Sequence, residues 1–126
     1  MEPTPEHLAA LAADDRPGPV VMLNLVKFKD GADARAEYQT YSKGFTPLLK
    51  QLGGTVLWAG DVTGIAIGED GRDDWDYAVL VRYPRRQDFV DTMTSDAYAA
   101  INPYRLAGLA KHVIVPVSET YSKFDG

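Results

Sequence analysis

Thr55-Val-Leu-Trp-Ala-Gly-Asp-Val-Thr-Gly-Ile-Ala-Ile-Gly68 and Trp75-Asp-Tyr-Ala-Val-Leu-Val-Arg-Tyr83 decide the fold. The first run is rich in β-branched and aromatic residues and has no apolar stripe at helical spacing, so it reads as a strand over 55–68. In the second, Trp75, Tyr77, Val79, Val81 and Tyr83 alternate with Asp76, Ala78, Leu80 and Arg82, which is the period of a strand with one buried face. Glu69-Asp70-Gly71-Arg72-Asp73-Asp74 lies between them as a solvated acidic turn, giving an antiparallel hairpin. Glycines at 60, 64 and 68 suggest that its first strand bulges or bends.

The rest of the chain packs beside this hairpin. Thr4-Pro5-Glu6 starts a short helix, carrying Leu8, Leu11 and Ala12, that the run Asp14-Asp-Arg-Pro-Gly-Pro19 stops. Residues 20–28 are apolar on both alternating sets, as in a central strand covered on both sides, and the amide of Asn24 interrupts them. Asp33 can cap a long amphipathic helix in which Tyr38, Tyr41, Phe45, Leu48, Leu49 and Leu52 recur at helical spacing. Pro47 is expected to bend this helix rather than end it, because the apolar spacing continues beyond it, and Gly53-Gly54 provides the stop. Residues 85–93 form a second helix. Ser95 caps a further turn, and Asn102-Pro103 is expected to cap and start another short helix carrying Tyr104, Arg105, Leu106 and Leu109. Residues 112–118 are the last strand, and Pro116 within it implies an edge or a bulge.

In order this is β-α-β-β-α-β after an N-terminal helical arm. The fold class is α+β, a ferredoxin-like βαββαβ with a four-stranded antiparallel sheet and its helices on one face. The 126 residues suit one domain: an arm over 1–19, a core over 20–118 and a tail over 119–126. An apolar second sheet face needs a cover, so the expected partner is a second copy in a homodimer.

Charge and composition exclude several functions. A formal net charge of −5, with Arg85-Arg86 the only cationic cluster of note, opposes non-specific nucleic-acid binding. The chain has no cysteine, which removes disulfides, thiolate metal sites and thiol catalysis. No apolar run approaches the ~18 residues of a membrane span. The acidic start, Met1-Glu-Pro-Thr-Pro-Glu-His7, lacks a signal-peptide pattern, so the expected location is cytoplasmic. The acidic turn lacks the Gly and terminal Glu of a calcium loop, so no metal is expected there.

Tyr38-Gln-Thr-Tyr41, Thr46-Pro-Leu-Leu-Lys-Gln-Leu-Gly-Gly54, Val81-Arg-Tyr-Pro84, and Ser95-Asp-Ala-Tyr98 followed by Tyr104-Arg105 carry a resemblance covering nearly the whole domain. In their order and spacing they resemble the dimeric α/β-barrel superfamily, close to domain-of-unknown-function family 1330. The resemblance implies two sheets packed face to face across a dimer, with a ligand pocket between sheet and helices in each subunit. Haem-degrading members place an Asn on the first strand, an aromatic late in the third strand and an axial His on the second helical segment. Asn24 and Tyr83 stand at the first two positions and Asn102 falls near the third, so no haem or other cofactor is expected. Cofactor-free monooxygenases of the superfamily orient phenolic substrates with Asn, Trp, Tyr and Arg, residue types supplied here by Asn24, Trp58, Tyr83, Arg82 and Arg105.

The candidate catalytic residues are Asn24, Arg105 and His112, and the candidate ligand-binding residues are Asn24, Tyr41, Trp58, Tyr83, Asn102 and Arg105. A buried Asn24 amide must meet water, a ligand or another side chain. The planar fork of Arg105 suits a carboxylate or phenolate, or else an internal ion pair with Asp91 or Asp96. His112 opens the last strand and could serve as a general base or as a rim residue without a role. Arg82 lies on the opposite strand face from Tyr83. Three function classes remain: a cofactor-independent enzyme acting on an anionic or phenolic small molecule, a non-catalytic homodimeric ligand-binding protein, or a dimer whose pocket its own side chains fill.

Overall fold

A computed structural model describes residues 2–124; Met1 and the last two positions of the tail lie outside the described residues. The elements run α1 (Pro5–Ala13), β1 (Val20–Phe28), α2 (Ala34–Gln51), β2 (Thr55–Asp61), β3 (Tyr77–Tyr83), α3 (Arg86–Met93), α4 (Asp96–Gly108) and β4 (Leu109–Val117). One antiparallel sheet has the order β2-β3-β1-β4, the ferredoxin-like arrangement. β1 lies inside the sheet between β3 and β4, as its two apolar faces require. β4 is an edge strand, so Pro116, opposite Met22, removes no donor that an outer neighbour would need.

The pleat divides the sheet into two faces. Val20, Met22 and Val26 of β1 share one with Val81 and Tyr83 of β3, and here Leu49, Tyr41, Phe89 and Tyr98 of the helices close the core. The other face carries Leu23 and Leu25 beside Leu80 and Val115, without a helix from this chain. Tyr38, Tyr41 and Phe45 of α2 stack in succession, with ring centroids 5.8 Å apart at each step, and Tyr98 of α4 meets Tyr41 edge-on. Gly108 permits the close α2–α4 approach, because a Cβ there would lie 2.6 Å from the Ala34 carbonyl oxygen.

Several sequence expectations change: the last strand starts at Leu109, directly after α4, so Leu109 is a strand residue and not a helical one, and Asp33 stands at the α2 N-cap without a side-chain cap hydrogen bond. β2 ends at Asp61 instead of continuing to Gly68, since the chain that would have to pair with it is folded on itself: Asp73 accepts from the Glu69 N–H at 2.8 Å and from Arg72. The helix expected to restart at Asn102-Pro103 is one continuous α4 capped by Ser95, whose Oγ accepts from the Tyr98 N–H. Pro103 sits inside it, and the Asn102 side chain turns to Arg105 instead of capping. Finally, the register slips between Val56 and Trp58, an irregularity earlier than any of the three glycines. In agreement with expectation, α2 continues past Pro47 and ends before Gly53, whose φ is +76°.

Candidate functional site

A cavity of about 380 Å³ lies between the helix-covered sheet face and the helices. Met22, Asn24, Val79, Val81, His112 and Ile114 form its floor on three strands. Tyr38, Tyr41 and Phe45 of α2 form one wall, and Phe89 and Met93 of α3 another. Its mouth is between α2 and the edge strand β2, where Thr46, Val56 and Ala59 are exposed lining residues. No lining side chain is an acid, a lysine or an arginine.

Sheet register brings the polar floor together. Asn24 pairs with Ile114, so His112 is its diagonal neighbour on the same face. α4 runs straight into β4 without a loop, which sets Arg105, in the last turn of the helix, behind His112. Arg105 is 4% exposed and absent from the lining. Its Nε donates to Asn102 Oδ1 at 2.8 Å and its Nη2 to Glu2 Oε1 at 2.9 Å. Its Nη1 is 3.1 Å from His112 Nδ1, and His112 Nε2 is 3.0 Å from Asn24 Oδ1.

The proton positions in this chain follow from one fact: a guanidinium only donates. His112 Nδ1 must therefore accept, which places the ring proton on Nε2, where it is donated to Asn24 Oδ1. The amide nitrogen of Asn24 then gives one hydrogen to the Met22 carbonyl at 3.1 Å and keeps a second for the cavity. Burial, reinforced by the adjacent Arg105 cation, pulls the His112 pKa down from 6.5 to about 3, so the ring is neutral at physiological pH.

The tyrosines supply hydroxyls held in the protonated state. Burial pushes Tyr38 up to about 12 and raises Tyr83 well above the usual phenol range. Tyr41 is raised by burial and then by Tyr98, with which its hydroxyl shares a 3.0 Å hydrogen bond. Tyr83 is 1% exposed and lines the cavity, and among the described residues no hydrogen bond reaches its hydroxyl.

The structure thus brings Asn24, Tyr41, Tyr83 and His112 to the cavity and sets Arg105 and Asn102 behind it. Trp58 is elsewhere: the register slip pairs it with Leu80 on the helix-free face, where it is 49% exposed. Arg105 finds Glu2 in place of Asp91 or Asp96, and Asp91 accepts instead from Gln87. Glu2 escaped the sequence reading because it is 103 residues from Arg105 and belongs to no motif. Among the described residues no group of three or more His, Cys, Asp or Glu could hold a metal ion, and no helix is long and apolar enough to cross a membrane.

This sheet order, with the helices on one face and a cavity beneath them, defines a ferredoxin-like α+β protein. Solved structures of that class are similar over most of the chain. A protein of unknown function from Rhodopseudomonas palustris is 28% identical with a TM-score of 0.85, over 96% of this chain and 97% of its own. At lower identity the likeness is one of fold. A dimeric ferredoxin-like protein of unknown function from Thermobifida fusca is 14% identical with a TM-score of 0.57, over 85% of this chain and 96% of its own. The hydroxynitrile lyase of Passiflora edulis is 16% identical with a TM-score of 0.62, over 85% of this chain and 100% of its own. The chain belongs to the family described as a domain of unknown function, DUF1330, which matches residues 22–118. No curated protein matches it.

Proposed function

We propose that the protein binds an uncharged, mostly apolar small molecule in the cavity between sheet and helices, through a hydrogen-bond acceptor on that molecule. The observation that carries this reading is the Asn24 amide, held by His112 and Met22 so that one N–H is left for the cavity. The Tyr83 hydroxyl is a second group available to a ligand. An anionic ligand fits poorly. Arg105 is engaged by Glu2, Asn102 and His112 behind the floor, and the lining itself offers no cation against which a buried negative charge could be balanced. Both His112 nitrogens are engaged, and burial keeps the phenols protonated, so the site offers hydrogen bonds more readily than a base. Binding without turnover is therefore the better-supported function, ahead of cofactor-independent catalysis.

The same reading includes a homodimer. Leu23, Leu25, Leu80, Trp58, Val115 and Val117 give the helix-free face an apolar surface, and Trp58, Val115 and Val117 are each at least 40% exposed in the single chain. Structural neighbours described as dimeric support a second copy as the cover.

The test is a titration with an uncharged ketone, 2-acetonaphthone, and with the carboxylate of the same ring system, 2-naphthoate. The ketone should bind and the carboxylate should bind more weakly. Asn24→Leu should weaken the ketone by about tenfold, the loss of one hydrogen bond near 1.4 kcal/mol. Tighter binding of the carboxylate, or an Asn24→Leu variant with undiminished ketone affinity, would overturn the reading.

A further inference from the structure

We infer that the N-terminal arm is a working part of the cavity, with Glu2 as a positioning residue that, through Arg105, holds His112 in the tautomer that anchors Asn24. The inference rests on the cavity being the binding site. It concerns a segment outside the residues that the family matches, which begin at Met22.

The arm is held lightly along its length, with one charge contact at each end. α1 has no buried residue, and only Leu8 and Leu11 pack, partly buried, against the core. At one end Glu2 accepts from Arg105 Nη2 at 2.9 Å and from Asn102 Nδ2 at 3.1 Å. At the other, Asp14 Oδ2 is 3.5 Å from Nε of Arg86, another arginine whose side chain is buried. Each fastening thus pairs an arm carboxylate with a buried guanidinium of the core. A surface helix with so little apolar burial opens locally at small cost, and what it releases on opening is the orientation of those guanidinium groups.

Arg105 transmits the consequence. With Glu2 on Nη2 and Asn102 on Nε, the fork is fixed with Nη1 toward His112, and His112 Nδ1 must be the acceptor. That tautomer makes Asn24 Oδ1 the acceptor of the Nε2 proton and turns the amide N–H toward the cavity. If Glu2 leaves, the fork is less constrained and the ring can carry its proton on Nδ1 instead. Nε2 then has no proton to give Asn24 Oδ1, and because the Met22 carbonyl still holds the amide nitrogen, the amide keeps its orientation and loses its anchor on the imidazole side. A docked arm anchors the Asn24 donor from both sides and an undocked arm leaves it held by Met22 alone, so arm position sets how firmly that donor is presented to the ligand.

The test reads the imidazole directly and needs no ligand. The chain has two histidines, His7 in α1 and His112, so a long-range proton–nitrogen spectrum of histidine-labelled protein at neutral pH resolves both. The parent protein should show His112 with its proton on Nε2. Glu2→Gln should introduce the Nδ1-protonated form and speed exchange of the ring proton by about tenfold, as expected when a charge-assisted contact is lost. Glu2→Asp should restore part of the parent signature, and Glu6→Gln, on the exposed arm, should leave it unchanged. An unaltered His112 signature in Glu2→Gln overturns the inference, whether or not the melting temperature falls. So does an equal change in Glu6→Gln. Failure of 2-acetonaphthone to bind would defeat the ligand reading while leaving this readout intact, so the two failures are distinguishable.

Discussion

Replacing Arg105 with alanine should destabilise the fold severely. Among the described residues, hydrogen bonds of 2.8–3.1 Å to Asn102, Glu2 and His112 disappear together. Glu2, whose side chain is 50% exposed, returns to water at small cost, below about 1 kcal/mol. His112 Nδ1 and Asn102 Oδ1 do not fare as well, since a part-buried acceptor stripped of its donor costs about 1–3 kcal/mol. Together with the space left by a side chain that is 5% exposed, the two stripped acceptors should bring the net loss to about 3–5 kcal/mol. For a chain of this length that lowers the melting temperature by roughly 10–20 °C. Urea denaturation of the parent, Arg105→Ala and Arg105→Met measures it, the methionine refilling much of the space without its donors. A loss below about 1 kcal/mol for Arg105→Ala would refute the claim that this guanidinium organises the floor.

Acid should weaken the fold through His112. Its folded pKa of about 3 lies below the ordinary 6.5, so between those values the unfolded chain takes up a proton that the folded chain refuses, and stability falls as pH drops through that window. Between about pH 6.5 and 5, above the carboxylate range, His112→Asn should flatten that slope in denaturant titrations, and an unchanged slope would contradict the buried neutral ring. On the opposite face, Trp58→Lys should shift a dimer toward monomer in sedimentation velocity at micromolar concentration without lowering secondary-structure content. A monomeric parent would remove the dimer reading.

The elements whose signals are local were legible in the sequence. β1 spans the nine residues that its two-sided apolar pattern marked, and α2 carries its stripe past Pro47, because helix and strand periods are set by the backbone and need no partner to be recognised. The need to satisfy Asn24 was likewise readable, as a polar group in an apolar strand. Its partner was not. Strict alternation puts Val56 and Trp58 on one face, yet the slip at Leu57 leaves Val56 on the cavity side with Val81 and turns Trp58 to the other side with Leu80. Similarly, Asn102-Pro103 carries a helix-start signal that α4 overrides, since its Ser95 cap and the contact with α2 stabilise one continuous helix. The sequence by itself determined the order of strands and helices and the polar residues that had to find partners. Only the tertiary structure decided those partners, because a register slip and an ion pair between residues 2 and 105 are fixed by packing between distant segments, which no local period records.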